Sequence, residues 1–118
     1  MVEKSNVLLV FCTCPDNITA EQLAGGLVER NLAACVNVLP AISSIFYWQG
    51  KLEKEQETLL LIKTTRRRFE ALRDWLVEAH PYENPEVIGL DVTAGAEQYL
   101  DWVASSCDRI MSDDDPDA

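Results

Sequence analysis

The runs AACVNVLPAISSIFYW, from residue 33, and KLEKEQETLLLIKTT, from residue 51, flank the dipeptide Gln49-Gly50. Both are rich in β-branched, aromatic and leucine residues, and a glycine in a two-residue connection suits a hairpin turn. A hairpin spanning residues 33–64 is therefore expected. Each arm has about 15 residues and extends roughly 50 Å at about 3.3 Å per residue, against the usual five or six or so. A compact chain of 118 residues is only about 30 Å across, so the arms must project past their core. They carry Ile42, Ile45, Phe46, Tyr47, Trp48, Leu52, Leu59, Leu60 and Leu61. A lone two-stranded ribbon is marginal in water, and its open edges invite pairing. Burial between identical chains resolves the conflict, so a closed homo-oligomer is expected. Pro40 cannot donate a ladder hydrogen bond and marks an edge position or a bulge.

The remaining segments supply the root of that hairpin. NVLLVFCT, residues 6–13, is a short apolar run that reads as a buried central strand. After the turn CPDN, Thr19 and Gln22 have capping-box spacing, and Ile18 and Leu23 are placed as a hydrophobic staple. A helix from about residue 20 to Asn31 is expected to bury Leu23, Ala24, Leu27 and Val28. Its Gly25 and Gly26 suggest close packing of helix on sheet. RRRFEALRDWLVEAH places Phe69, Leu72, Leu76 and Ala79 on one helical face, and Pro81 ends that helix by disfavouring the α conformation at His80. EVIGLDVT, residues 86–93, reads as a fourth strand, and EQYLDWVASSC as a final helix packing Tyr99, Trp102 and Val103. The order βαββαβ plus a helix defines an α+β, ferredoxin-like sandwich with a protruding hairpin. It occupies residues 1–111 as one domain, and the acidic, apolar-poor tail 112–118 is expected to be disordered.

Ten basic residues against twenty acidic ones give a formal charge of −10, which disfavours nucleic acid. No run reaches the roughly 18 apolar residues of a membrane span, and MVEKSNVLLVFCTC lacks a signal-peptide pattern. A cytoplasmic location with no membrane partner follows as an expectation. The four cysteines, Cys12, Cys14, Cys35 and Cys107, lack the CxxC pairing of a structural zinc site and read as small buried hydrophobes in a reducing compartment. Cys12 alone has a second reading. In the ferredoxin-like topology it closes the first strand while His80, the only histidine, closes the second helix. Both arrive at the same edge as Trp48-Gln49-Gly50.

Several stretches resemble one family. CTCPD, LAACVNVLP, YWQGKLEKEQETLLLIKTT, HPYENPEVIGLDV and YLDWV are similar to the CutA divalent-cation-tolerance proteins, over residues 7–103 or so. The resemblance implies a homotrimer, a bacterial cytoplasmic location, and a link to copper and other divalent metal ions. It also implies copper ligands at a cysteine after the first strand and a histidine before the Pro-Tyr pair, which are Cys12 and His80 here. Some members have two successive histidines at that point, and Ala79 takes the first position in this chain.

Thiolate and imidazole suit Cu(I), Zn(II) and Cu(II). Two protein ligands suffice for Cu(I), whereas the divalent ions need more, from water, Glu83, Glu86 or a neighbouring subunit. Glu57 and Lys63 share a face of the third strand at opposite ends, one of them a candidate for an intersubunit pocket with Trp48 and Tyr82. Arg66, Arg67 and Arg68 crowd a helix start where the dipole disfavours cations. They read either as a solvated patch paired with carboxylates or as an anion site. The second reading supports an alternative function, a trimeric regulator binding an anionic metabolite or nucleotide between subunits. No Gly-x-Ser-x-Gly, Gly-rich phosphate loop or HExxH is present. The expectation is a metal-binding protein that is not an enzyme and takes no organic cofactor.

Overall fold

A computed structural model describes residues 6–109. The acidic tail and the outer limits of the domain lie outside the described residues. In chain order the elements are β1 (Val7–Cys14), α1 (Asn17–Glu29), β2 (Cys35–Trp48), β3 (Lys51–Thr65), α2 (Arg66–Ala79), β4 (Ile88–Asp91) and α3 (Glu97–Cys107). The strands form one sheet in the order β2-β3-β1-β4, with every neighbouring pair antiparallel. This is the ferredoxin-like arrangement expected from the element order.

Strand periodicity sorts the sheet into two faces. Val10, Cys12 and Cys14 of β1 and Leu60 and Ile62 of β3 point to one face, where Leu23 and Leu27 of α1 and Leu72 and Leu76 of α2 cover them. A smaller cluster of Val7, Leu100 and Val103 holds α3. The intervening residues Leu9, Phe11, Leu59 and Leu61 are only half-buried on the other face.

The hairpin outruns its supports. β1 pairs with β3 only from Cys14 opposite Thr58 to Val7 opposite Thr65, so among the described residues Lys51–Glu57 has β2 as its sole strand partner. The molecule measures 49 Å along its longest axis and 21 Å along its shortest. Gln49 and Gly50 both have positive φ, 52° and 79°, as expected of a type I′ turn matching the twist of the arms. At Pro40 the register shifts between Leu39 and Ile42 on an edge strand, so the bulge and the edge position coincide.

Several local expectations change. α1 starts at Asn17 because the Asp16 carboxylate, not the Thr19 hydroxyl, is the cap: it accepts from the Thr19 backbone N–H at 2.7 Å. Ile18 is consequently 72% exposed and staples nothing, while Ala20 joins the core and Val28 is exposed. A methyl at Gly26 would lie 2.5 Å from the Trp75 ring of α2, so helix–helix rather than helix–sheet contact demands that glycine. Gly25 faces open space. α2 buries Leu72 and Leu76 with Phe69 half-buried, but Ala79 is exposed in the last turn. β4 is shorter than expected, and α3 buries Leu100, Val103 and Cys107 while Tyr99 and Trp102 face outward.

The two glycines make a paired prediction. Gly25→Ala is expected to stabilise by about 0.4–1 kcal/mol through reduced unfolded-state entropy. Gly26→Ala is expected to cost about 1–3 kcal/mol by overpacking. Urea midpoints check both, and equal shifts would show that Trp75 does not constrain position 26.

Candidate functional site

The period of two that puts Val10 in the core also places Cys12 and Cys14 side by side on the helix-covered face, both fully buried. They occupy the last two core-facing positions of β1. α2 reaches the same edge with its C-terminus. There the His80 backbone N–H caps Leu76 O at 2.8 Å, and the residue turns extended (φ −73°, ψ 143°) ahead of Pro81. The turn carries the imidazole inward, leaving His80 only 6% exposed. The Sγ atoms of Cys12 and Cys14 and a ring nitrogen of His80 all lie within 4.8 Å of one another.

Each nitrogen of that ring is engaged. Nε2 donates to Thr13 O at 2.8 Å, and Nδ1 accepts from the Tyr82 backbone N–H at 3.0 Å. These two partners define the Nε2–H tautomer. Thr13 O is also 3.9 Å from Cys12 Sγ, a weak contact at most. The thiols share a hydrogen bond that splits them. It acts with burial and with the charges of Cys14, Glu86 and Glu57 to push Cys12 far above the ordinary thiol range. The same hydrogen bond outweighs burial at Cys14 and lowers it, so Cys14 is the first of the pair to ionise.

Outside the buried cluster is an open groove of about 1210 Å³ between the hairpin and the Pro81–Asn84 turn. Trp48, Glu57, Tyr82 and Glu83, expected from the sequence, line it together with Phe46, Glu53 and Glu55. Tyr82 joins groove and cluster: its ring is 4.8 Å from the His80 ring, and its hydroxyl donates to Glu57 Oε2 at 2.7 Å. Burial, then that carboxylate, raise the Tyr82 phenol above its ordinary value. Glu86 is half-buried and acts on Cys12 through its charge. Lys63 is elsewhere, against Asn37 and 4.0 Å from Cys35 Sγ, and does not line the groove with Glu57.

The arginines lie at the other end of α2, about 20 Å away at about 1.5 Å per residue. Arg66 pairs with Asp91 and Arg67 with Asp108, while Arg68 Nε donates to Cys107 O at 2.9 Å. Carboxylates and a helix-end carbonyl thus answer charges that the helix dipole disfavours. The cluster member missed in the sequence is Cys14. Its signal was the Cys-x-Cys spacing on a strand, which places both thiols on one face. The donor set, two thiols and an imidazole, is chemically suited to soft or borderline metal ions.

The fold and this edge define a small ferredoxin-like α+β protein with a buried thiol–imidazole cluster beside an acidic, aromatic groove. Residues 8–106 match the CutA1 divalent ion tolerance protein family. The chain belongs to that family. It is 50% identical to a Protein CutA homolog of Xenopus laevis across 79% of this chain, a match spanning 62% of that relative. It is 44% identical to the Divalent-cation tolerance protein CutA of Salmonella newport (strain SL254) across 84% of this chain and 86% of the relative. The crystal structure of CutA from Xylella fastidiosa superposes with a TM-score of 0.85 at 44% identity, covering 87% of this chain and 99% of that one.

A third thiol gives a pH test of the fold. Burial, more than any other influence, pushes Cys107 up. A thiol raised above its unfolded value near 8.5 or so stabilises the fold below that pH and loses the contribution as pH rises through its folded value. Urea midpoints are therefore expected to fall above about pH 8.5, and less steeply in Cys107→Ala. An equally steep decline in the variant removes Cys107 as a source.

Proposed function

We propose that this chain binds copper or another thiophilic metal ion at the Cys12–Cys14–His80 edge and serves metal tolerance as a cytoplasmic homotrimer. The supporting observation is the cluster itself, three buried donors within 4.8 Å of one another. Family membership supplies the physiological context, since the Salmonella relative is named for divalent-cation tolerance. The role is sequestration or sensing of an ion and involves no chemical turnover.

The trimer reading rests on the ribbon. Ile45, Tyr47, Trp48 and Leu52 are each at least 60% exposed in the single chain. Pairing with sister ribbons gives these side chains apolar cover and closes the open strand edges. The groove between hairpin and Tyr82 then lies against a neighbouring subunit, which is where Glu57, Glu83 and Glu86 gain a role in the surroundings of the bound ion. All four cysteines are free thiols, which suits a reducing compartment. Among the described residues no helix is long and apolar enough to cross a membrane.

Native mass spectrometry with metal analysis of untagged protein tests both parts. The expected species has three times the 13.2 kDa chain mass and carries copper or zinc. Cys12→Ser is expected to lower metal affinity at least tenfold. A folded 13.2 kDa species overturns the assembly, and metal-free protein that takes up neither copper nor zinc overturns the metal role.

A further inference from the structure

We propose that the start of α2 binds a phosphate dianion, free or carried by a small monoester, at a site walled by Thr65, Arg66 and Arg67. This end of the helix is remote from the Cys12–Cys14–His80 edge, and the inference is independent of the metal-binding reading.

Thr65 is the residue that points to a ligand. It stands immediately before α2, 5% exposed, where a side-chain oxygen ordinarily accepts from an N–H of the first helical turn. Its hydroxyl makes no such capping bond. Among the described residues, Thr65 Oγ1 is the only buried side-chain nitrogen or oxygen with no hydrogen-bond partner. The next residue back shows that partners are within reach at this end of β3: the Thr64 hydroxyl donates to Leu32 O at 2.7 Å. A buried hydroxyl with no partner carries a desolvation cost that a bound acceptor removes.

Space for that acceptor is present. Thr65 lines a cavity of about 340 Å³ together with Asn6, Arg66, Arg67, Ala104 and Asp108. Sites for small molecules run from about 300 to 1,000 Å³, so this one suits a phosphate group better than a large cofactor. A second hollow of about 520 Å³ shares both arginines and extends past Phe69 to Gly89, which gives the organic part of an ester somewhere to lie.

Charge selects the ligand. The first N–H groups of a helix lack intrahelical acceptors, and the helix dipole makes that end positive. α2 opens with Arg66, Arg67 and Arg68 and has no acidic residue in its first turn, so cations are stacked where the helix repels them. Arg66 pairs with Asp91 and Arg67 with Asp108, through side chains that are all about half exposed or more. Exposed pairs of this kind are weak and exchange readily. A phosphate dianion brings more charge and more acceptor oxygens than a carboxylate, and helix N–H groups suit it as well as guanidinium does. Asp108 lines the same cavity, so its carboxylate is the competitor that the ligand displaces. The ion pairs answer the guanidiniums in the absence of ligand, but they leave the Thr65 hydroxyl unanswered.

The test is calorimetric titration of the full chain in phosphate-free buffer with orthophosphate, glycerol 3-phosphate and acetate in turn. Saturable binding of orthophosphate is expected, at least about tenfold tighter than acetate. Similar affinity for the two phosphates assigns the site to the phosphate group alone, and tighter binding of the ester brings in the second hollow; either result supports the proposal. Arg67→Gln and Thr65→Val are each expected to weaken phosphate binding about tenfold, and Asp108→Asn to tighten it. Thr65→Val is also expected to raise the urea midpoint without phosphate, because a methyl replaces the unpartnered hydroxyl. A variant that gains this stability and keeps full affinity makes the hydroxyl a packing defect and overturns the site. Absence of saturable binding at millimolar phosphate overturns it too, as does acetate binding as tightly as phosphate.

Discussion

β3 is longer than the strand beside it, and most of the molecule's distinctive features follow from that mismatch. β1 stops at Cys14 because Pro15 has no N–H to extend the ladder and Asp16 immediately caps α1. Past Thr58, β3 has only β2 to pair with, so the hairpin leaves the core as a ribbon. The same stop sets the depth of the thiol pair. Cys12 and Cys14 occupy the final inward positions of β1, just where α2 ends and turns His80 inward.

The cluster is held from two independent directions. Antiparallel pairing fixes the sulfurs through the backbone of β1, while Pro81 fixes the imidazole by ending α2. The hydrogen bond from Nε2 to Thr13 O ties the two together. Tyr82 then couples this buried edge to the solvent-facing groove through Glu57. Negative charge from Glu57 and Glu86 reaches Cys12, so the surroundings favour a cation without supplying a carboxylate ligand.

The hairpin was the most legible part of the sequence because alternating apolar residues, Pro40 and Gln49-Gly50 all state the same geometry. The convergence of Cys12 and His80 was legible from topology, since chain direction alone brings the two element ends together. The start of α1 was not, because Asp16 and Thr19 are both good caps and only the backbone direction decides between them. Tyr99 and Trp102 were misplaced because size suggests burial, whereas the helix turns Leu100 and Val103 inward and leaves the rings packed on each other at 5.6 Å. The spacing that pairs Cys14 with Cys12 was visible, but the cluster is complete only with the imidazole that arrives from α2. Occupation of both His80 nitrogens has no sequence signature at all.

The three tryptophans sit in physically separate surroundings. Trp48 rides near the hairpin tip, Trp75 wedges against Gly26 beneath the Arg30 guanidinium, and Trp102 lies outward on α3. Their emission therefore divides by location. Light from Trp48 responds to whatever approaches the ribbon, light from Trp75 to slippage between the first two helices, and light from Trp102 to the chain's final turns. A single-tryptophan set made from this protein has an intrinsic optical label for each of its three layers of organisation.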